Sequence, residues 1–257
     1  MKVHDIKPAP LLDPFISGYK IIETDAERIN RILPSTSIAM AVRLRGKNIL
    51  IDNGRTRALP QIVISGLQKS PRHIGYGDDT RTLIVQFKPG GASAFFREPL
   101  HKLFGETTSL DDLIAPAEVS TINDRISSAE SDPQRISIVE EFLTSLCHKG
   151  ETDKLISTAI LQINHAGGFI RIKDLRDQLH ISKDAFEKRF RKIVGTSPKQ
   201  YASLVRMSTI VGHGRGRDQL LDAAFNAGFF DESHFIKAFK QFTGQSPTDF
   251  SKSGPAW

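Results

Sequence analysis

One pattern of residues occurs twice in this chain, forty-nine positions apart. The stretch from Ala185 to Tyr201, AFEKRFRKIVGTSPKQY, aligns without a gap on His234 to Phe250, HFIKAFKQFTGQSPTDF. Phe186 matches Phe235, Phe190 matches Phe239, Gly195 matches Gly244, Ser197 matches Ser246, Pro198 matches Pro247 and Tyr201 matches Phe250. Two amphipathic helices share apolar spacing by chance, but shared Gly-x-Ser-Pro punctuation is a much stronger constraint. Two copies are too few for a solenoid, in which at least three units must stack. A duplicated helical unit is the simpler reading.

Each copy carries its own start and stop signals. Ser182 and Asp231 are placed to cap a helix N-terminus, and Gly195 and Gly244 to end it in the left-handed conformation. Phe186, Phe190 and Ile193 fall at i, i+4 and i+7, as do Phe235, Phe239 and Phe242. These are the expected buried stripes. Each Ser-Pro then opens a further helix, with proline at the first helical position, where its missing N–H costs nothing. A shorter helical segment precedes each long one, in IKDLRDQLHIS and QLLDAAFNAGFFD. Gly228 suits a turn with positive φ, and Ala223 and Ala224 permit two helices to cross closely. A helix, a tight turn and a second capped helix make a helix-turn-helix. The second helix of that motif enters the major groove of DNA.

The faces opposite the stripes carry the chemistry. Asp184, Glu187, Lys188 and Arg191 share one face of the first long helix; Ser233, Ile236, Lys237 and Lys240 share the same face of the second. Such a face is usually only solvated. A base-reading face needs the same residue types: lysine donates to guanine, a carboxylate accepts from cytosine, and an apolar side chain meets the thymine methyl. An exposed Ile236 among polar neighbours fits recognition better than solvation. Lys183 and Glu232, at the helix starts, complete the candidate set. The formal net charge of +6 is uneven, with +5 from Glu151 onward and +1 before it. A basic second part suits a polyanionic partner.

The stretch AAFNAGFFDESHFIKAFKQFTGQSPTDF resembles the C-terminal signature of AraC/XylS-type transcription regulators, and the likeness covers roughly residues 152–252. The resemblance implies two recognition helices lying in successive major grooves of double-stranded DNA, joined by a helix from Pro198 to about Val211. It implies base contacts from Asp184, Glu187 and Lys188, and from Glu232, Ser233, Ile236 and Lys237. The further expected partners are a small-molecule effector of unknown identity, a second copy of the chain and RNA polymerase. The chain departs from the family in the joining region, which reads GHGRGRDQLL. Glycine costs a helix roughly 1 kcal/mol relative to alanine, so Gly212, Gly214 and Gly216 are expected to end the helix early and form either a flexible link between the units or only a surface loop. Arg215 and Arg217 would then rest on phosphates.

The first part reads as β-rich. Ile38, Met40, Val42 and Leu44 alternate at period two, RGKN makes a turn, and ILID, QIVISGLQKSPRHIGYG and TRTLIVQFKPGG are further strand candidates. Short helices are expected in ASAFFREPLHKLFG and SLDDLI, and a loop in SSAESDP. An amphipathic helix follows, with Ile136, Val139, Leu143 and Leu146 on one face, for the core or a subunit contact. LLDPFISGY, FKPGGASAFF and SLDDL resemble, more weakly, the sensor region of an uncharacterised AraC-family branch. The expected architecture is α+β: a barrel-like, cupin-like sensor and dimerisation domain over 1–150 and an all-α domain over 151–257. The boundary falls within HKGETD, His148 to Asp153.

Enzyme chemistry finds little support. His4 and His73 form no His-x-His pair, and His101 falls in a helical segment, so a cupin-type metal site lacks its ligands. No glycine-rich phosphate loop or nucleophile elbow is present. Cys147 stands alone, which excludes an internal disulfide and suits a reducing compartment. The N-terminal residues do not resemble a signal peptide and no apolar run spans a bilayer, so a cytoplasmic protein with no cofactor is expected. A metalloenzyme and an effector-independent architectural DNA-binding protein are the alternatives.

Overall fold

The computed structural model describes residues 1–52, 54–148, 153–214 and 216–253. Two antiparallel sheets face each other in its first part. The larger runs in the order β1 (Lys2–Ile6), β2 (Ile16–Thr24), β9 (Thr80–Phe87), β4 (Ala39–Arg45), β7 (Ile62–Ser65), β10 (Thr107–Ser109). The smaller runs β3 (Arg28–Ile32), β8 (Arg72–Tyr76), β5 (Asn48–Asp52), β6 (Arg55–Ala58). The stretch QIVISGLQKSPRHIGYG thus supplies two strands, β7 and β8, one to each sheet.

Alternation along the strands divides the larger sheet into two unlike faces. Met40 and Val42 on β4, and Leu83, Val85 and Phe87 on β9, point to the main hydrophobic core. Their neighbours Ala39, Ala41, Thr82, Ile84 and Gln86 point the other way, toward the smaller sheet. There the packed apolar cluster is small, comprising Leu59, Val63, Ile74 and Tyr76. Alanines and short polar side chains leave part of the space between the sheets unfilled.

Helices cover the core face. α1 (Pro116–Ser128) and α2 (Asp132–Leu146) bury Val119, Ile122 and Ile126, and Ile136, Ile138, Val139, Phe142 and Leu143. The expected stripe on α2 is therefore spent inside the chain, with Leu146 half-buried. The loop expected in SSAESDP is shorter than its composition suggests. α1 continues to Ser128, and Ser131 already caps α2 by accepting from Gln134 N at 3.4 Å. The short helices expected before α1 are single 3-10 turns at Gly91–Ala94, Leu100–Leu103 and Leu110–Asp112.

The second part is helical throughout its described residues: α3 (Lys154–His165), α4 (Ile172–Gln178), α5 (Lys183–Val194), α6 (Pro198–Gly212), α7 (Arg217–Asn226), α8 (Glu232–Thr243) and α9 (Pro247–Lys252). Most of the proposed boundary, 149–152, lies outside the described residues. The hydrophobic core runs without a break from the first part into the second. At the seam, a Cβ on Gly195 would sit 3.3 Å from the Leu100 carbonyl, and one on Gly244 would sit 3.0 Å from Pro71 Cγ. The Arg31 guanidinium lies 5.9 Å from the centre of the Phe250 ring.

Candidate nucleic-acid interface

The duplicated sequence builds the same aromatic ladder twice. Phe186 meets Phe190 edge-on at 5.7 Å, and Phe190 meets Tyr201 at 5.6 Å. Phe235 meets Phe239 at 5.4 Å, and Phe239 meets Phe250 at 5.3 Å. The second contact of each ladder joins a long helix to the helix opened by the following Ser-Pro. Edge-to-face contact of this kind adds about 0.5–1.5 kcal/mol per pair beyond burial.

Both long helices are capped as expected. The Ser182 hydroxyl accepts from Ala185 N at 3.4 Å, and the Asp231 carboxylate accepts from His234 N at 2.6 Å. Gly195 and Gly244 end the helices at φ 95° and 76°. One apolar position differs from expectation. Val194, not Ile193, completes the buried stripe of α5. Ile193 is half-buried and turns toward Gly90 of the first part, because the helix there packs on two elements rather than one.

The candidate DNA-facing residues sit on the two exposed helix faces. Lys183, Asp184, Lys188 and Arg191 are exposed on α5, with Glu187 half-exposed beside Arg191 at 3.9 Å. Glu232, Ser233, Lys237 and Lys240 are exposed on α8. Ile236 is half-buried and packs against the core, so the exposed apolar side chain expected there is only partly free. Glu232 accepts from Arg217 at 2.8 Å, which engages an arginine that the sequence assigns to phosphates. Arg189 lies off this face and bridges both carboxylate oxygens of Asp153, the N-cap of α3, at 2.8 and 2.9 Å. Sequence reasoning missed Phe230. It stands 98% exposed one residue before the N-cap of α8, while its neighbour Phe229 is buried. The dipeptide gives no signal to tell the two apart.

Arg206 on α6 ties the units together. Its guanidinium lies over Phe169 at 5.4 Å and over Phe229 at 5.8 Å, and it donates to the Gly168 carbonyl at 3.1 Å. Burial lowers its pKa from the ordinary arginine value. Phe169 also lies hard against the turn of the second unit. Gly228 has φ 77°, and a Cβ there would stand 2.0 Å from Phe169 Cε2. We expect Gly228→Ala to destabilise the fold by about 1–3 kcal/mol, from left-handed strain and displacement of the ring. Equilibrium denaturant unfolding measures this directly, and an unchanged midpoint would contradict it.

The joining helix α6 stops at Gly212, as the glycines predict. Four positions, 213–216, separate it from α7; Arg215 lies outside the described residues. Gly214 adopts φ 152°, and Gln219 Oε1 accepts from Gly216 N at 3.2 Å to close the start of α7.

Among the described residues no group of histidine, cysteine or carboxylate side chains is placed to hold a metal ion. Among them, too, no helix is long and apolar enough to cross a membrane.

Comparison with known proteins agrees with this geometry. A family model described as a helix-turn-helix domain matches residues 175–253, and one described as a domain of unknown function (DUF6597) matches residues 4–109. The Msm operon regulatory protein of Streptococcus mutans is 28% identical over 163 residues, 59% of this chain and 55% of that protein. An uncharacterized HTH-type transcriptional regulator of Bacillus subtilis, YisR, is 33% identical over 82 residues, 32% of this chain and 29% of its own. The chain spans about half or less of the length of these curated relatives. Among solved structures, ToxT from Vibrio cholerae covers 91% of this chain and 97% of its own at 11% identity and a TM-score of 0.49. The match over residues 175–253 identifies the duplicated second part as a helix-turn-helix domain.

Proposed function

We propose that the protein is a sequence-specific DNA-binding transcription regulator in which α5 and α8 read successive major grooves. One observation carries this reading: two equivalent capped helices each present an exposed, lysine-bearing face, while their aromatic faces are locked into the fold. Lys188 and Lys237 occupy matching positions and supply donors to base edges. Arg191 and Lys240, one turn further along, suit phosphates, which position the protein without reading sequence. Asp184, Glu187, Lys183, Glu232, Ser233 and Ile236 complete the proposed surface. Glu232 must exchange Arg217 for a base or a water when it contacts DNA.

The test is quantitative binding of the full chain to genomic fragments selected by the protein itself. Lys188→Ala and Lys237→Ala should each cost about 1–3 kcal/mol on the preferred site and relax specificity at one base pair. Arg191→Ala and Lys240→Ala should weaken all sequences more evenly and flatten the salt dependence. Equal losses on selected and random DNA for the lysine pair would refute the assignment of base-reading roles.

Further features belong to the same proposal. The two-domain division at 150/151, a small-molecule effector for the first part, a homodimer, contact with RNA polymerase and a cytoplasmic location are consistent with a regulator of this type. The apolar stripe of α2 is buried within the chain, so a dimer must use another surface. Sedimentation of the free and DNA-bound chain measures that state. The curated relatives are described as regulatory proteins, which supports a regulator over an enzyme.

A further inference from the structure

The unfilled space between the two sheets is a cavity of about 240 Å³. Its walls are the inward residues of both sheets, chiefly apolar, with Ile74 on β8 and Ile84 on β9 among them. No carboxylate lines it; the ionisable side chains that do are two cations, Arg72 and Lys20, and Tyr76. Lys20 is paired with Asp5 at 3.7 Å. Arg72 is less well served. Its Nη2 donates to the Glu106 carbonyl at 3.3 Å, and the Glu106 carboxylate acts on it only at longer range. Burial lowers its pKa to about 10, against the partial support of Glu106. Among the described residues no carboxylate makes a direct ion pair with this cation.

The other end of the cavity lacks a polar partner. Asn48 is 7% exposed and lines the space. Its Nδ2 donates to Thr82 Oγ1 at 3.0 Å, and its Oδ1 is buried with no hydrogen-bond partner. A buried amide oxygen left unpaired costs about 1–3 kcal/mol. Turning the amide over would strand the nitrogen instead, so a hydroxyl, which both donates and accepts, answers either orientation. Asn48 pairs with Tyr76 in the ladder, four residues along β8 from Arg72. That separation is about 13 Å of strand, part of which the arginine side chain itself spans. Typical drug-sized sites begin near 300 Å³, so this one suits an apolar body of about one ring's bulk.

We propose that the cavity between the sheets binds a small hydroxy acid, its carboxylate on Arg72, its apolar body between Ile74 and Ile84, and its hydroxyl against Asn48. The Arg72 end adjoins the helix-turn-helix part. Pro71, the preceding residue, packs under Gly244 after α8. Ser35 and Ser37 line the same cavity and flank Thr36, whose side chain lies near the Tyr201 hydroxyl at the start of α6, itself bonded to Asn164. Occupation of one cavity therefore bears on both units. This coupling rests on the regulator reading; the ligand assignment does not.

Calorimetry on the full chain tests it with four probes: para-hydroxyphenylacetate, omega-hydroxyhexanoate, phenylacetate and para-hydroxyphenylacetamide. The hydroxy acids should bind once per chain. Loss of the hydroxyl or of the negative charge should weaken binding about tenfold or more, as expected for one hydrogen bond to a buried or charged group. Arg72→Gln should erase the preference for acid over amide, and Arg72→Lys should keep it at reduced affinity. Asn48→Ala should erase the preference for hydroxy acid over plain acid. Thermal unfolding without ligand verifies that each variant is folded. The proposal is overturned if no hydroxy acid binds, if wild type binds acid and amide alike, or if folded Arg72→Gln retains the acid preference. DNA affinity of the ligand-free chain is measured separately, so failure of the regulator reading leaves its own signature.

Discussion

Truncation of Phe239 to alanine is expected to cost about 3–5 kcal/mol of stability, a large share of the roughly 5–15 kcal/mol that holds an ordinary domain. The ring is fully buried and meets both Phe235 and Phe250, so its loss opens a cavity and removes two edge-to-face contacts. Phe190 occupies the equivalent place, between Phe186 and Tyr201, and its replacement should cost a similar amount. The core is continuous between the two parts, so both variants should lower one shared unfolding transition. Denaturant unfolding followed by circular dichroism and by tyrosine fluorescence checks this. Separate transitions in the two signals would show that the parts unfold independently.

Arg206→Ala is expected to be the largest effect from a residue outside the aromatic ladders. It removes two cation–π contacts and the bond to Gly168. A partly desolvated cation–π contact contributes about 1–2 kcal/mol, and a hydrogen bond from a charged group about 1.5–3. The contacts overlap, so a loss of about 2–4 kcal/mol is expected. The more informative readout is DNA binding under conditions where the variant is folded. Arg206 joins Phe169 before α4 to Phe229 before α8, and its removal frees the two units to move separately. Affinity for a site with both base-pair clusters should fall further than affinity for either cluster alone. Arg206→Lys keeps the charge but loses the flat stacking surface, and it should recover little. Equal losses on whole and half sites would remove this linking role.

Local signals carried much of the second part. Ser182, Asp231, Ser197 and Ser246 cap helices because the bond each side chain makes lies within three residues, and sequence displays that distance directly. The phenylalanine ladders were legible because they occur twice. What the sequence did not display depends on long-range pairing. β1 is Lys-Val-His-Asp-Ile, mostly exposed at a sheet edge, and has little apolar alternation to read. The order that places β9 between β2 and β4 joins residues far apart in the chain. The cavity was hidden for the same reason. Ala39, Ala41, Thr82 and Ile84 read as ordinary alternating strand positions, and only the opposing sheet shows that they leave space. At the candidate interface, sequence placed the lysines on the exposed faces. It could not tell Phe229 from Phe230, or foresee that Arg217 engages Glu232, because both outcomes depend on how α7 and α8 cross.

The seam between the parts limits how such a protein can be rebuilt. For an exchange of the β-rich half, a cut near residue 150 looks natural in the sequence. Here the glycines that end α5 and α8 rest on Leu100 and Pro71. A foreign first part with different side chains at those two points would tilt α5 and α8 or leave a void beneath them. A working chimera must transplant the strip carrying Leu67, Pro71 and Leu100 with the helical half, although it lies in the other half of the chain.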